Sequence, residues 1–258
     1  MKNNVFFIGH GNPMLAITPS SHTTSWQHLG LSNLSPQAIL CISAHWVSKT
    51  LAVTAMDKPR TIHDFTGFPE ELYAQNYPAP GAPELAVELS KALAQFNCSL
   101  DYSWGLDHGS WAVLKYIYPQ AVIPVLQLSL KQNEGLEFHF KLGQAISHLR
   151  EKNILILASG NSVHNLYAAN WAIHAKPDPR AVEFDHILLS ILTRRDYHSF
   201  FNLFNDYPSL TKWAHPTLEH LLPLSVAFGA SVVEDNLSVV CEGVDLSSIS
   251  MMSLSWSS

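Results

Sequence analysis

The sequence predicts an α/β fold in a single domain, residues 1–258, on three observations. Short apolar runs recur along the chain. Amphipathic helical stripes lie between them. The composition supports a large core, with 47% of the 258 residues hydrophobic and 14% charged. Strands that alternate with helices build a sheet covered on its faces, and so low a charge content excludes a disordered chain.

The elements follow in order. Residues 5–8, 38–43, 123–128 and 154–158 are short and almost wholly apolar, as strands buried on both faces are. Pro124 marks the third run as an edge or a strand start. In residues 82–96, Leu85, Leu89, Leu93 and Phe96 form one helical stripe. Residues 135–150 and 181–193 repeat the pattern, and 197–204 predicts a shorter helix. Residues 237–242 and 249–256 return to strand character. "YPAPGAP" (77–83) reads as a loop leading into a helix. No internal repeat or low-complexity segment interrupts this order.

Composition also narrows function. The net charge is −6 and no Lys/Arg-rich run occurs, so no nucleic-acid partner is expected. No apolar stretch reaches the length of a membrane span, and the first residues do not read as a signal peptide. Cys41, Cys98 and Cys241 are scattered without a CxxC pair, which predicts no disulfide framework and a reducing, cytoplasmic setting. HExxH, GxSxG, GxGxxG and the phosphate-binding P-loop pattern are all missing. The outstanding feature is 14 histidines against 15 lysines and arginines.

Position gives those histidines meaning. His10, in "GHGNPM", follows the first strand; His45, in "SAHW", follows the second; His164, in "ASGNSVHN", follows residues 154–158. In open α/β sheets, ligands bind beyond the carboxyl ends of the strands. Parallel neighbours would therefore bring three imidazoles to one edge. Gly9 and Gly11 give the chain freedom to turn around His10 and let another group come close. In "WGLDHGSW", a helix starting at Gly109 or Ser110 puts His108 at a helix N-terminus, where the dipole favours a neutral ring able to accept a proton. "HPTLEHLLPL" offers His215, Glu219 and His220, with Thr217 as the expected helix cap. "TIHDFTGFP" offers His63, Asp64, Phe65 and Phe68 as pocket lining, joined by Trp46 and Trp111. His22, His28, His139, His148, His174, His186 and His198 read as background, with His174 and His198 at the surface. A set of neutral imidazoles with few thiols suits Zn, Fe, Cu or Ni.

Seven segments occur in a fixed order: "GHGNPM", "SAHW", "TIHDFTGFP", "YPAPG", "GLDHGSW", "ASGNSVHNL" and "HPTLEHLLPL". Together they resemble the 4,5-DOPA extradiol dioxygenase-like family. That family belongs with the class III extradiol ring-cleavage dioxygenases, which include the catalytic subunit of protocatechuate 4,5-dioxygenase. The resemblance implies a three-layer α/β/α domain with a mixed sheet. It implies an Fe(II) site, which Zn(II) also occupies in family members, and a small aromatic diol and O2 as reactants. Carried over by motif, His10, His45 and His220 would be metal ligands. His164 would be a further ligand or the acid/base beside the metal, and His108 a catalytic histidine behind it. One departure stands out: the first motif usually reads HGSPM, and Asn12 replaces its serine here. Two other readings use the same imidazoles, a zinc-dependent hydrolase and a metal-binding protein without turnover.

Overall fold

The computed structural model describes residues 2–32, 35–172 and 175–258, so His174 lies outside the described residues. Six strands form the central sheet: β1 (Val5–Gly9), β2 (Ala38–Ser43), β3 (Val125–Gln127), β4 (Ile154–Gly160), β5 (Asn236–Cys241) and β6 (Ser253–Ser257). Their spatial order is β3-β2-β4-β1-β6-β5. The first four are parallel; β6 runs antiparallel to both β1 and β5, which makes the sheet mixed.

Alternation along β1 sorts side chains between the faces. Phe6 and Ile8 join Ile39, Cys41, Leu155 and Leu157 under Trp26, Trp111 and Leu114. Those three belong to helices α1 (Ser21–Ser32) and α3 (His108–Ile117). Val5 and Phe7 point the other way, into a core with Leu142, Phe184, Leu188 and Phe228. Here the cover is α4 (Leu136–Ile146), α5 (Pro179–Thr193) and α6 (Leu222–Ala230). Helix α2 (Pro83–Ala92) contributes Ala86 and Leu89 to the same core. The result is the expected three-layer α/β/α arrangement.

Three elements differ from the sequence reading. Residues 197–204 form two short helices, Tyr197–Phe201 and Leu203–Asp206, parted at Asn202. The 249–256 run splits: Ile249–Ser250 pairs with Val244–Asp245, and Ser253–Ser257 pairs with β1 and β5. Met251 and Met252 make the crossing between them, with Met251 N bonded to the Gly243 carbonyl. Thr217 caps no helix. The chain turns through Glu219 and His220, and α6 starts only at Leu222 with Pro223 in its first turn, where a missing N–H costs nothing.

Candidate functional site

The register of the parallel strands sets the site. Gly9 of β1 lies opposite Gly160 of β4, and Ser43 of β2 lies opposite Ser159. All three strands therefore end level, and His10 and His45 leave the sheet at the same edge. The His10 backbone N–H donates to the Gly160 carbonyl at 3.1 Å. Gly11 then turns with φ 62°, in the left-handed region that favours glycine. His220 arrives from a distant part of the chain and is pinned by the same edge. Its carbonyl accepts from Asn161 N at 2.9 Å, and any side chain on Gly160 would collide with that carbonyl.

Ring nitrogens of His10, His45 and His220 converge within 4.8 Å of one another. The Nε2 atoms of His10 and His45 face each other at 3.0 Å. Their second nitrogens reveal the tautomers. Ser159 Oγ donates its only hydrogen to the Gly109 carbonyl at 2.5 Å, so it accepts from His10 Nδ1 at 3.0 Å. His45 Nδ1 lies 3.3 Å from the Asp64 carboxylate, which can only accept. Both Nε2 atoms are left with lone pairs directed at one point. His220 Nε2 is buried and has no hydrogen-bond partner among the described residues.

Electrostatics reinforces this. Burial, followed by the neighbouring imidazoles, drives the pKa of His10 and His220 well below the usual histidine range. His45 is lowered in the same way by burial and His108, against the pull of Asp64. Burial lowers His164 to about 4. These rings are neutral at pH 7, the state a metal ligand needs. Three neutral imidazoles with opposed lone pairs, one of them orphaned, fit a divalent transition metal.

Asp64 ties the cluster to α3. Its two oxygens accept from His108 N and His108 Nδ1, each at 2.9 Å, and the second also faces His45. Burial opposes the carboxylate charge, but the hydrogen bonds and charge of His108, with His45 beside it, hold its pKa down to about 2. Helix α3 starts at His108, one residue earlier than expected, because Asp107 caps it by accepting from Ser110 N. From sequence, Asp64 is only one pocket neighbour among several. The signal for its role is its place beside His63 in "IHDF", which by itself carries no partner information.

The remaining expected residues separate. A cavity of about 320 Å³ is lined by His10, Asn12, His45, Phe68, His108, His164 and His220, together with Leu166, Trp171, Leu246 and Ile249. His164 lies outside the three-nitrogen cluster and stacks on His220, with centroids 3.5 Å apart and planes at 3°. Trp46, His63, Phe65 and Trp111 do not line the cavity. Trp46 stacks on Trp104, Trp111 donates to the Ile62 carbonyl, and His63 binds the Gln75 carbonyl. Phe65 packs behind the site, edge-on to His108 and Phe68. Two further histidines are buried structural groups. His215 donates to the Ser162 carbonyl, and His139 bridges the Gly135 carbonyl and Lys131 N. Asn12 caps the turn Pro13–Ala16, where its side-chain oxygen accepts from Met14 N as a serine hydroxyl could. His198 is exposed, as expected.

Known proteins place the chain. The catalytic LigB subunit family of aromatic ring-opening dioxygenases matches residues 5–251. A 4,5-DOPA dioxygenase extradiol of Escherichia coli (strain K12) is 42% identical over 252 residues, 96% of this chain and 92% of that protein. A Beta vulgaris protein of the same name is 40% identical over 233 residues, 88% of this chain and 86% of its own. An uncharacterized protein of Escherichia coli K12 shares the fold in its crystal structure. The TM-score is 0.86 at 37% identity, over 98% of this chain and 99% of that one.

Proposed function

The chain belongs to the catalytic LigB subunit family of aromatic ring-opening dioxygenases, and on that premise we propose that it opens a catechol-type ring with O2 at a metal held by His10, His45 and His220. The substrate is DOPA-like in its vicinal hydroxyls, and the bond cleaved lies beside the diol. The whole of residues 1–258 acts as one catalytic domain. The observation that carries this reading is the convergence of three neutral imidazoles at the floor of a cavity sized for a small molecule.

Fe(II) bound there would supply electron transfer between diol and O2, whereas Zn(II) has no redox chemistry and would leave the enzyme inert. The chain's own groups handle protons and position. His108 turns Nδ1 to the Asp64 carboxylate, which leaves Nε2 as the acceptor of the neutral ring, and the ring lines the cavity. It takes a proton from a diol hydroxyl as the catechol settles. His164, neutral and stacked on His220, serves as the second acid/base rather than a ligand. Asp64 fixes the tautomer and orientation of both His45 and His108. Phe68, Leu166 and Trp171 exclude water from the ring and hold it beside O2, which removes much of the entropic barrier.

The test is anaerobic loading with Fe(II), then O2 uptake and formation of a yellow semialdehyde across a catechol panel. Turnover with iron and none with zinc is expected. Activity with zinc that disappears on iron substitution would instead favour a zinc hydrolase. His108→Ala should retain metal and lose about 10²–10⁴-fold in turnover.

A further inference from the structure

Granted the ring-opening reading above, we propose that Asn12 selects the substrate by donating a hydrogen bond from Nδ2 to the carboxylate on the ring substituent of a DOPA-like catechol. Asn12 lines the cavity and is half-buried. The two ends of its carboxamide have separate duties. Oδ1 accepts from Met14 N at 2.9 Å, and only the oxygen can accept, so the amide has one orientation. Nδ2 is left with two hydrogens and no acceptor among the described residues. It is not sealed from solvent, unlike the unpaired Nε2 of His220. A free donor on the cavity wall is a binding group with no duty in the fold.

The turn that carries this donor is held at several points. Leu15 N donates to the Asn12 carbonyl at 3.0 Å. Tyr116 donates its phenol to the Leu15 carbonyl at 2.7 Å, and Lys115 its ammonium to the Ala16 carbonyl at 3.0 Å. Gly11, at φ 62°, sits so close to Met251 that a side chain there would collide with it. A donor fixed before the ligand arrives loses little freedom on binding. The choice of acceptor follows from what the imidazoles leave over. They meet the diol in the ring-opening reading. The carboxylate of a DOPA-like catechol lies on the ring substituent, away from the diol, and is an acceptor only. A hydrogen bond to a charged acceptor is roughly twice as strong as one to a neutral oxygen. Serine, usual at this place in the motif, would also accept from Met14 N but would reach one bond less far.

The experiment compares L-DOPA with dopamine, which differ only in the carboxylate. Dissociation constants are measured by calorimetry on zinc-loaded protein, and kcat/KM by O2 uptake on iron-loaded protein. The decisive variant is Asn12→Ser, which is neutral and keeps an oxygen for Met14 N. It should weaken L-DOPA about tenfold and leave dopamine within about twofold, with a matching change in kcat/KM. Asn12→Asp keeps the cap but puts a negative charge where the donor was. It should weaken L-DOPA further and strengthen dopamine, whose ammonium it attracts. Equal losses for the two ligands in Asn12→Ser, or no loss for L-DOPA, overturn the proposal. A selective loss of L-DOPA binding, with no turnover by unaltered iron-loaded protein, leaves the Asn12 assignment standing and sinks the ring-opening reading. No binding of either ligand by the unaltered protein overturns both.

Discussion

Two buried polar clusters sit at opposite ends of β1 and β4, and they are built on opposite rules. At the amino ends, the Arg150 and Asp235 side chains are fully buried, and every nitrogen and oxygen of the pair has a partner. Arg150 donates to both carboxylate oxygens at 2.6 and 2.9 Å, to the Asn3 carbonyl and to the Ala230 carbonyl. At the carboxyl ends, His10, His45 and His220 turn lone pairs toward one another and leave a buried nitrogen unpaired. One cluster spends its polarity on holding the chain. The other keeps its polarity in reserve for a cation. Burial alone therefore does not mark function, nor does a single unpaired atom such as His215 Nδ1; the convergence of several ring nitrogens on one point does.

The comparison breaks or sharpens under four substitutions. The largest effect belongs to His10→Ala, which should reduce bound metal and turnover to background. The metal-free protein should lose little stability or gain some, because an opposed lone pair is removed. Metal analysis with thermal unfolding checks both, and full metal retention would sink the assignment. Arg150→Ala should do the reverse. It strands a buried carboxylate and should cost about 3–5 kcal/mol in denaturant unfolding, with metal content per folded molecule unchanged.

Asp185 tests an intermediate case. Two hydroxyls, Ser162 and Ser250, donate to it at 2.5 Å, but burial outweighs them and raises its pKa to about 6. A carboxyl raised in the folded state penalises folding once it ionises. Stability should therefore fall as pH rises from its unfolded value near 4 through about 6, then level off. Asp185→Asn should recover up to about 3 kcal/mol at pH 7.5 and almost nothing at pH 4. A gain equal at both pH values would exclude the ionisation as cause. The smallest effect is expected for Asp64→Asn: a loss of roughly 10–100-fold in metal affinity, read by competition with a chelator, with a lower unfolding midpoint at pH 7 because the ionised carboxylate stabilises the folded state there.

Much of this layout is legible in the sequence, for physical reasons that also explain the gaps. β1, β2 and β4 announce themselves as apolar runs, and parallel strands of equal phase must deliver their following residues to one edge. His10 and His45 are therefore readable from local sequence. His220 is readable only through its motif, since its approach depends on Gly160, some sixty residues away. Thr217 misleads because a capping residue competes with proline geometry; Pro223 is the stronger marker of where α6 begins. Trp46 and Trp111 look like pocket walls in sequence, but their partners Trp104 and Ile62 are tertiary neighbours that no spacing encodes. The same holds for Asp64, whose value comes from bridging two histidines on separate elements.

The placement of β6 has a consequence for biosynthesis. Val5 pairs with Trp256, so one edge of β1 stays bare until the long stretch of chain between the two strands has been made. At cellular elongation rates that interval is on the order of ten seconds to a minute. Throughout it, an unpaired apolar strand is exposed, and His10 has neither His220 nor the Met251–Met252 crossing beside it. The open edge of β1 and the metal site are thus completed by the same late stretch of chain, so the nascent protein lacks both until that stretch is made.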